Sequence, residues 1–170
     1  MSLVKLIQAA PVHSDQLEQL AKTTFIETYG SRNPQERISR YVNESFNPKV
    51  LLAELKDPLQ QYVLAEVDHV FSGYMKLKPG MPEGYDYFGL EICRFYLLSA
   101  LHGKGIADEM MAYCEEYART KSLPLLWLSA WQHNPRAIRF YEKKGFEKKG
   151  DLIFRMVDDD QRDFLMIKHL

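Results

Sequence analysis

From Leu90 to Phe146 the chain writes strand, glycine turn, helix, strand and helix in immediate succession: "LEICRFYLL", "HGKG", "IADEMMAYCEEYARTK", "LPLLWLSAW" and "NPRAIRFYEKKGF". No other feature restricts the fold so far. "LPLLWLSAW" is apolar without alternation, the pattern of a strand covered on both faces, and it predicts the parallel part of a sheet. The helix before it carries Ile106, Met110, Cys114, Tyr117 and Ala118 on one apolar face at a spacing of about 3.6 residues. In the last segment Asn134 stands as a helix cap, Pro135 in the first turn and Gly145 at the left-handed stop.

The flanking segments complete a mixed sheet. Ser2 to Gln8 alternates like an opening strand. Ser14 reads as the cap of a helix whose apolar positions Leu17, Leu20, Ala21, Thr24, Phe25 and Thr28 run up to Gly30, and Asn33 with Pro34 reads as a second helix start. A short helix follows Pro48. "QYVLAEV" and "VFSGYMKLK", separated by "DH", predict an antiparallel hairpin. "LIFRMV" and "DFLMIKHL" predict a closing hairpin around an acidic turn, "DDDQR". The order β, helices, β-β-β, α, β, α, β-β gives an α/β (α+β) fold, a mixed sheet with helices on its faces.

At 170 residues the chain is expected to form a single domain, residues 1–170, with a substantial core. Its 46% apolar and 26% charged content excludes disordered and membrane classes, and a net charge of -1 gives no reason to invoke nucleic acid or an anionic membrane. Cys93 and Cys114 lack CxxC spacing and a neighbouring His pair, so neither a zinc site nor a disulfide framework is expected. With no signal-peptide core or membrane-length apolar run, the expected location is the cytoplasm.

"HGKG" before a helix is either a tight connection or a cradle for phosphate. Helix amino ends carry unpaired N–H groups and partial positive charge, glycines let an anion approach the backbone, and Lys104 adds a full charge. A Walker A loop needs a hydroxyl residue after the Lys, where Gly105 stands. A dinucleotide-binding GxGxxG needs a small residue at Asp108. Neither fits.

"HGKGIA" resembles the [QR]-x-x-G-x-[GA] turn of the GCN5-related N-acetyltransferases, with Gly105 and Ala107 in the small positions and His102 in place of Gln or Arg. "NPRAIRFYEKKGF" matches that family's N-x-x-A-x-x-[FL]-Y-x-x-x-G-F at Asn134, Ala137, Phe140, Tyr141, Gly145 and Phe146. The resemblance implies a mostly antiparallel central sheet with one splayed parallel pair and helices on both faces. It implies acetyl-CoA as donor, no metal, and direct transfer to a primary amine in a ternary complex. The pyrophosphate would sit on His102, Gly103, Lys104, Gly105, Ile106 and Ala107, the pantetheine arm on Phe95, Tyr96 and Leu97, with Asn134 and Tyr141 also contacting the cofactor.

Chemistry adds two roles. A phenol of ordinary pKa about 10 can protonate a departing thiolate, which suits Tyr141, although a plain core aromatic is the alternative. The amine must be neutral to attack, and Glu91, at the head of an apolar strand, is the candidate base, directly or through water. A strand-end carboxylate with no such role is the alternative. Asn134 can cap its helix and still keep its amide donors.

Over most of its length the chain is similar to bacterial PaiA-type polyamine N-acetyltransferases, which implies spermidine or spermine as acceptor, with Glu27, Tyr29, Glu36 and Trp131 available to hold a polycation. A protein, amino-acid or antibiotic amine, or a catalytically silent CoA-binding module, are the other readings, and a homodimer is compatible with exposed strands.

Overall fold

The computed structural model describes residues 4–170. In chain order the elements are β1 (Val4–Gln8), α1 (Ser14–Tyr29), α2 (Gln35–Ser45), α3 (Pro48–Lys56), β2 (Gln61–Val67), β3 (Val70–Gly80) and β4 (Gly89–Leu97). Then follow α4 (Ile106–Thr120), β5 (Leu125–Trp131), α5 (Pro135–Lys143), β6 (Glu147–Met156) and β7 (Asp159–His169). The seven strands are ordered β1-β2-β3-β4-β5-β7-β6. The pairs β1–β2, β2–β3, β5–β7 and β6–β7 are antiparallel and β4–β5 is parallel, so the mixed sheet expected from the sequence forms. The parallel rungs join Leu90 to Leu126 and Glu91 to Trp127. Packing divides into two compact units, the chain up to Leu77 with Arg94–Tyr113, and Lys78–Cys93 with Cys114–Leu170.

In the first unit, α1 buries Leu17, Leu20, Ala21 and Phe25, α2 buries Ile38 and Val42, and α3 buries Leu51. Phe25 stacks on Tyr41 at 4.5 Å and meets Phe46 edge-on at 5.7 Å, so the helices share one aromatic seam. The β2–β3 hairpin turns through Asp68 and His69, both at positive φ (49° and 67°), the paired left-handed geometry that matches strand twist. Tyr62, paired with Lys76, and Leu64, paired with Tyr74, are buried on one face of that hairpin, and Val63, paired with Met75, and Ala65, paired with Gly73, on the other.

The second unit packs Leu125, Trp127, Leu165 and Ile167 with Tyr85, Tyr87 and Leu152. The Tyr85 hydroxyl ties the loop before β4 to β6, accepting from the Asp151 N–H at 3.0 Å and donating to the Asp151 carbonyl at 3.1 Å. β5 is buried at every residue except Ser129, as its unbroken apolarity predicts.

Three local expectations are corrected. Ser14 opens α1 rather than capping it. His13 holds the cap position at the end of a Pro11–His13 3-10 turn, where its Nδ1 accepts from the Ala10 N–H at 2.9 Å. Asn33 does not cap α2; its side-chain amide donates to the Tyr29 carbonyl at 3.0 Å, closing the helix before it, and Pro34 precedes α2. The last hairpin turns at Val157 and Asp158, not through "DDDQR", because Met156 pairs with Asp159 and the acidic residues enter the ladder. Ser2 and Leu3, expected in the first strand, lie outside the described residues.

Candidate active site

The glycine turn belongs to the first unit, as does the second half of β4. After Leu97 the chain bonds back to β3 through the Leu98 N–H and the Ser72 carbonyl (2.9 Å) and makes a short 3-10 turn, Ser99–Leu101. Gly103 and Gly105 then take φ of 76° and 81°, where side chains are strained. A Cβ added to either meets nothing within 4 Å, so it is backbone conformation that asks for glycine here.

The consequence is a row of open donors. The Asp108 and Glu109 N–H groups reach the Gly105 carbonyl, while among the described residues the five amides from Gly103 to Ala107 have no acceptor. Lys104 is exposed beside them. Five free N–H groups at the amino end of a 15-residue helix fit a diphosphate. Asp108 and Glu109 occupy the same first turn.

His102, the departure from the family pattern, is a brace. Its Nε2 donates to the Leu97 carbonyl at 2.7 Å, fixing the turn to the end of β4, and its buried Nδ1 has no hydrogen-bond partner among the described residues. Tyr96 stacks on Tyr74 at 5.6 Å. Its carbonyl lies so near β3 that a Cβ on Gly73 would stand 2.8 Å from it, and glycine is required by that close approach. Phe95 is half-buried and Leu97 buried.

Glu91, Asn134 and Tyr141 belong to the second unit. Glu91 is half-buried and ion-paired to Lys78 Nζ at 3.3 Å, so a cation faces it rather than the apolar surroundings expected at the head of β4. Nearby, the Trp127 indole N–H donates to the Gly80 carbonyl at 3.0 Å. Asn134 caps α5 as expected, its side-chain oxygen accepting from the Ala137 N–H at 3.2 Å. Tyr141 is buried, with Phe140 and Phe146 edge-on at 5.6 and 5.8 Å, and Gly145 ends the helix at φ 88°. Burial pushes the Cys114 thiol well above its ordinary range, with the Glu115 charge adding to it, so it is a poor nucleophile.

Two charged groups escaped the sequence reading. One is Asp163 on β7, buried and accepting from the Ser129 hydroxyl at 2.6 Å; burial pushes its carboxyl up to about 6, against the pull of that hydrogen bond. The other is Arg94, a charge in the middle of the apolar "LEICRFYLL" and therefore in need of partners. That interruption was the available signal.

The acetyltransferase (GNAT) family model matches residues 15–146, and the chain belongs to that family. It is 31% identical over 172 residues to an uncharacterized N-acetyltransferase from the pepI 3' region of Lactobacillus delbrueckii subsp. lactis, covering 100% of this chain and 99% of that one. The crystal structure of a PaiA N-acetyltransferase from Thermoplasma acidophilum in complex with coenzyme A superposes with a TM-score of 0.82, at 21% identity and 99% coverage of both chains. A mutant of the spermidine N-acetyltransferase SpeG from Vibrio cholerae shares the fold at a TM-score of 0.68 and 18% identity, covering 98% of this chain and 93% of that one. The chain is thus an acetyl-CoA-dependent N-acetyltransferase by family. Among the described residues no group of His, Cys, Asp or Glu is placed to hold a metal ion, and no helix is long and apolar enough to cross a membrane.

Proposed function

We propose that the protein transfers acetyl directly from acetyl-CoA to a primary amine in a ternary complex. The observation that carries the reading is the row of five unpartnered amides from Gly103 to Ala107 before α4, which fits the diphosphate of the donor. When bound, acetyl-CoA supplies the thioester whose carbonyl carbon the amine attacks. The chain's own residues do the rest. His102 holds the turn in register with β4, and the backbone of Phe95, Tyr96 and Leu97 lines the donor's arm. Asn134 retains its amide donors after capping α5, since the cap uses its oxygen. Tyr141 donates its phenolic proton to the departing sulfur, and Glu91, directly or through water, accepts the proton that the ammonium must lose. Cys93 and Cys114 form no disulfide among the described residues and take no part, and reduced thiols suit a cytoplasmic location.

For the acceptor, the resemblance points to a polyamine. Of the four groups expected to hold one, Glu27 is engaged by the Ser99 N–H and hydroxyl at 3.0 and 2.9 Å, while Tyr29 and Trp131 are buried. Glu36, exposed in the first turn of α2, is the open carboxylate among them. The geometry therefore supports amine acetylation without singling out a polycation. Thiol release from acetyl-CoA with a panel of primary amines, spermidine and spermine included, tests the reading. Release that requires the amine and falls about 10² to 10⁴-fold in Tyr141→Phe is the expected result. Tight CoA binding with no amine-dependent release overturns it.

A further inference from the structure

The second unit holds a buried carboxylate that no cation answers. Elsewhere, half-buried carboxylates meet a positive charge: Glu54 faces Lys76 Nζ at 2.7 Å and Arg94 Nη1 at 3.5 Å, Glu91 faces Lys78 Nζ at 3.3 Å, and Glu115 faces Lys168 Nζ at 2.6 Å. Asp163 on β7 is buried, and among the described residues it has no cation partner. Its Oδ2 accepts from the Ser129 hydroxyl at 2.6 Å, and its Oδ1 has no hydrogen-bond partner there. Burial pushes this carboxyl up to about 6, so at neutral pH it is still an anion. An anion out of water and without a counter-charge is costly.

Over that anion the sheet is open. β5 lies between β4 and β7, and Ser129 is its one exposed residue, so the face of the sheet is uncovered at this point. An ionised carboxylate can only accept, and the single hydrogen of the Ser129 hydroxyl is therefore committed to Asp163. What Ser129 presents to solvent is its lone pairs, backed by a negative charge. Such an acceptor suits a cationic N–H donor. Its place in the fold suits one too. Ser129 stands two residues beyond Trp127, the rung partner of Glu91, so Glu91 and Ser129 project from the same face of the sheet. Strand spacing sets their Cα atoms about 8 Å apart. Beyond Ser129, β5 ends at Trp131 and Asn134 caps α5, and the carboxyl ends of parallel strands are where open sheets take their ligands.

We propose that Ser129, backed by Asp163, anchors the nitrogen of the acceptor: Ser129 Oγ accepts an N–H of the ammonium, and of the neutral amine after it, and holds that nitrogen beside Glu91. This rests on the amine-acetylation reading, in which Glu91 takes the proton. It also gives a reason for a primary amine. Of the three hydrogens on a primary ammonium, one passes to the base, one leaves as the amide forms, and the third keeps the bond to Ser129 throughout.

Butylamine and phenethylamine as acceptors in thiol release test the anchor, with their trimethylammonium counterparts, which keep the charge and lack N–H, as unreactive probes. In Ser129→Ala the amine KM is expected to rise about ten-fold while kcat changes less than about two-fold, because the bond is present in ground and transition states alike. Ser129→Thr, which keeps the hydroxyl, restores the wild-type KM. In thermal-shift titrations of the CoA complex, wild type binds each primary ammonium about ten-fold tighter than its quaternary counterpart, a preference that Ser129→Ala removes. Asp163→Asn weakens both members of each pair, since the charge behind the hydroxyl is gone. Affinity for CoA itself stays at the wild-type value in Ser129→Ala. A Ser129→Ala variant that loses only folding stability, with amine KM and primary preference unchanged and thiol release intact, overturns the anchor and leaves acetyl transfer standing. A primary preference that Ser129→Ala abolishes, in a protein that releases no thiol with any amine, supports the anchor and overturns the transfer reading instead.

Discussion

Replacing Asp163 by asparagine isolates the cost of one buried carboxyl. Asp163 is 4% exposed and accepts a hydrogen bond from Ser129, and its other oxygen has no partner among the described residues. Burial raises its pKa from 3.8 to about 6. Roughly two units at 1.36 kcal/mol each amount to about 3 kcal/mol. Below the unfolded value both states hold the proton, and the folded chain bears no penalty. As pH climbs from about 4 to about 6 the unfolded chain releases the proton first, so stability falls until the folded pKa is passed, and the full cost persists above it. In Asp163→Asn that pH-dependent loss is absent. The amide accepts from Ser129 but brings two N–H donors into a buried place, at a cost of about 1–3 kcal/mol that does not vary with pH. The readout is therefore the change in the wild-type to variant difference with pH. Urea unfolding between about pH 4 and about pH 8 should show Asn gaining about 3 kcal/mol on Asp across that range, most of it before about pH 7. A difference that stays flat with pH refutes the argument.

Three further outcomes follow from the site. Gly73→Ala would set a methyl 2.8 Å from the Tyr96 carbonyl, and is expected to cost about 1–3 kcal/mol in urea unfolding and to weaken CoA binding by displacing β4; unchanged affinity shows that Tyr96 does not line the donor. His102→Leu removes the bond to the Leu97 carbonyl and should weaken CoA about ten-fold by calorimetry, whereas His102→Gln, which can still donate, should not; equal affinities contradict the brace. Glu91→Gln should remove the acidic limb of the pH–rate profile, and an unaltered profile takes Glu91 out of the mechanism.

What the sequence revealed divides along the range of the interactions. Asn134, Pro135 and Gly145 were legible because cap, first turn and stop are local chemistry, and the fold uses all three. β5 was legible from continuous apolarity. The final turn was not. Val157 adopts a φ of 62°, which a β-branched residue resists, because the ion pair between the ladder partners Arg155 and Asp160 and the diagonal one from Arg162 to Asp151 fix the register from outside the turn. Ser14 and Asn33 misled because an Asx or Ser before a helix reads as a cap whether or not another donor or acceptor lies closer. At the site, both glycines were foreseen, but not why His102 is tolerated, since its partner is a backbone carbonyl. Arg94 and Glu54 are forty residues apart in sequence, so no local pattern couples them. Asp163 and Ser129 meet only through the register of β5 and β7.

Mass spectrometry of a reaction holding the protein, acetyl-CoA and an accepted primary amine tests direct acetyl transfer most plainly. The account predicts acetylated amine formed in step with free CoA, while the intact protein keeps its unmodified mass throughout turnover. A chain that becomes one acetyl group heavier at Cys93 or Cys114 and then passes that group to the amine contradicts it.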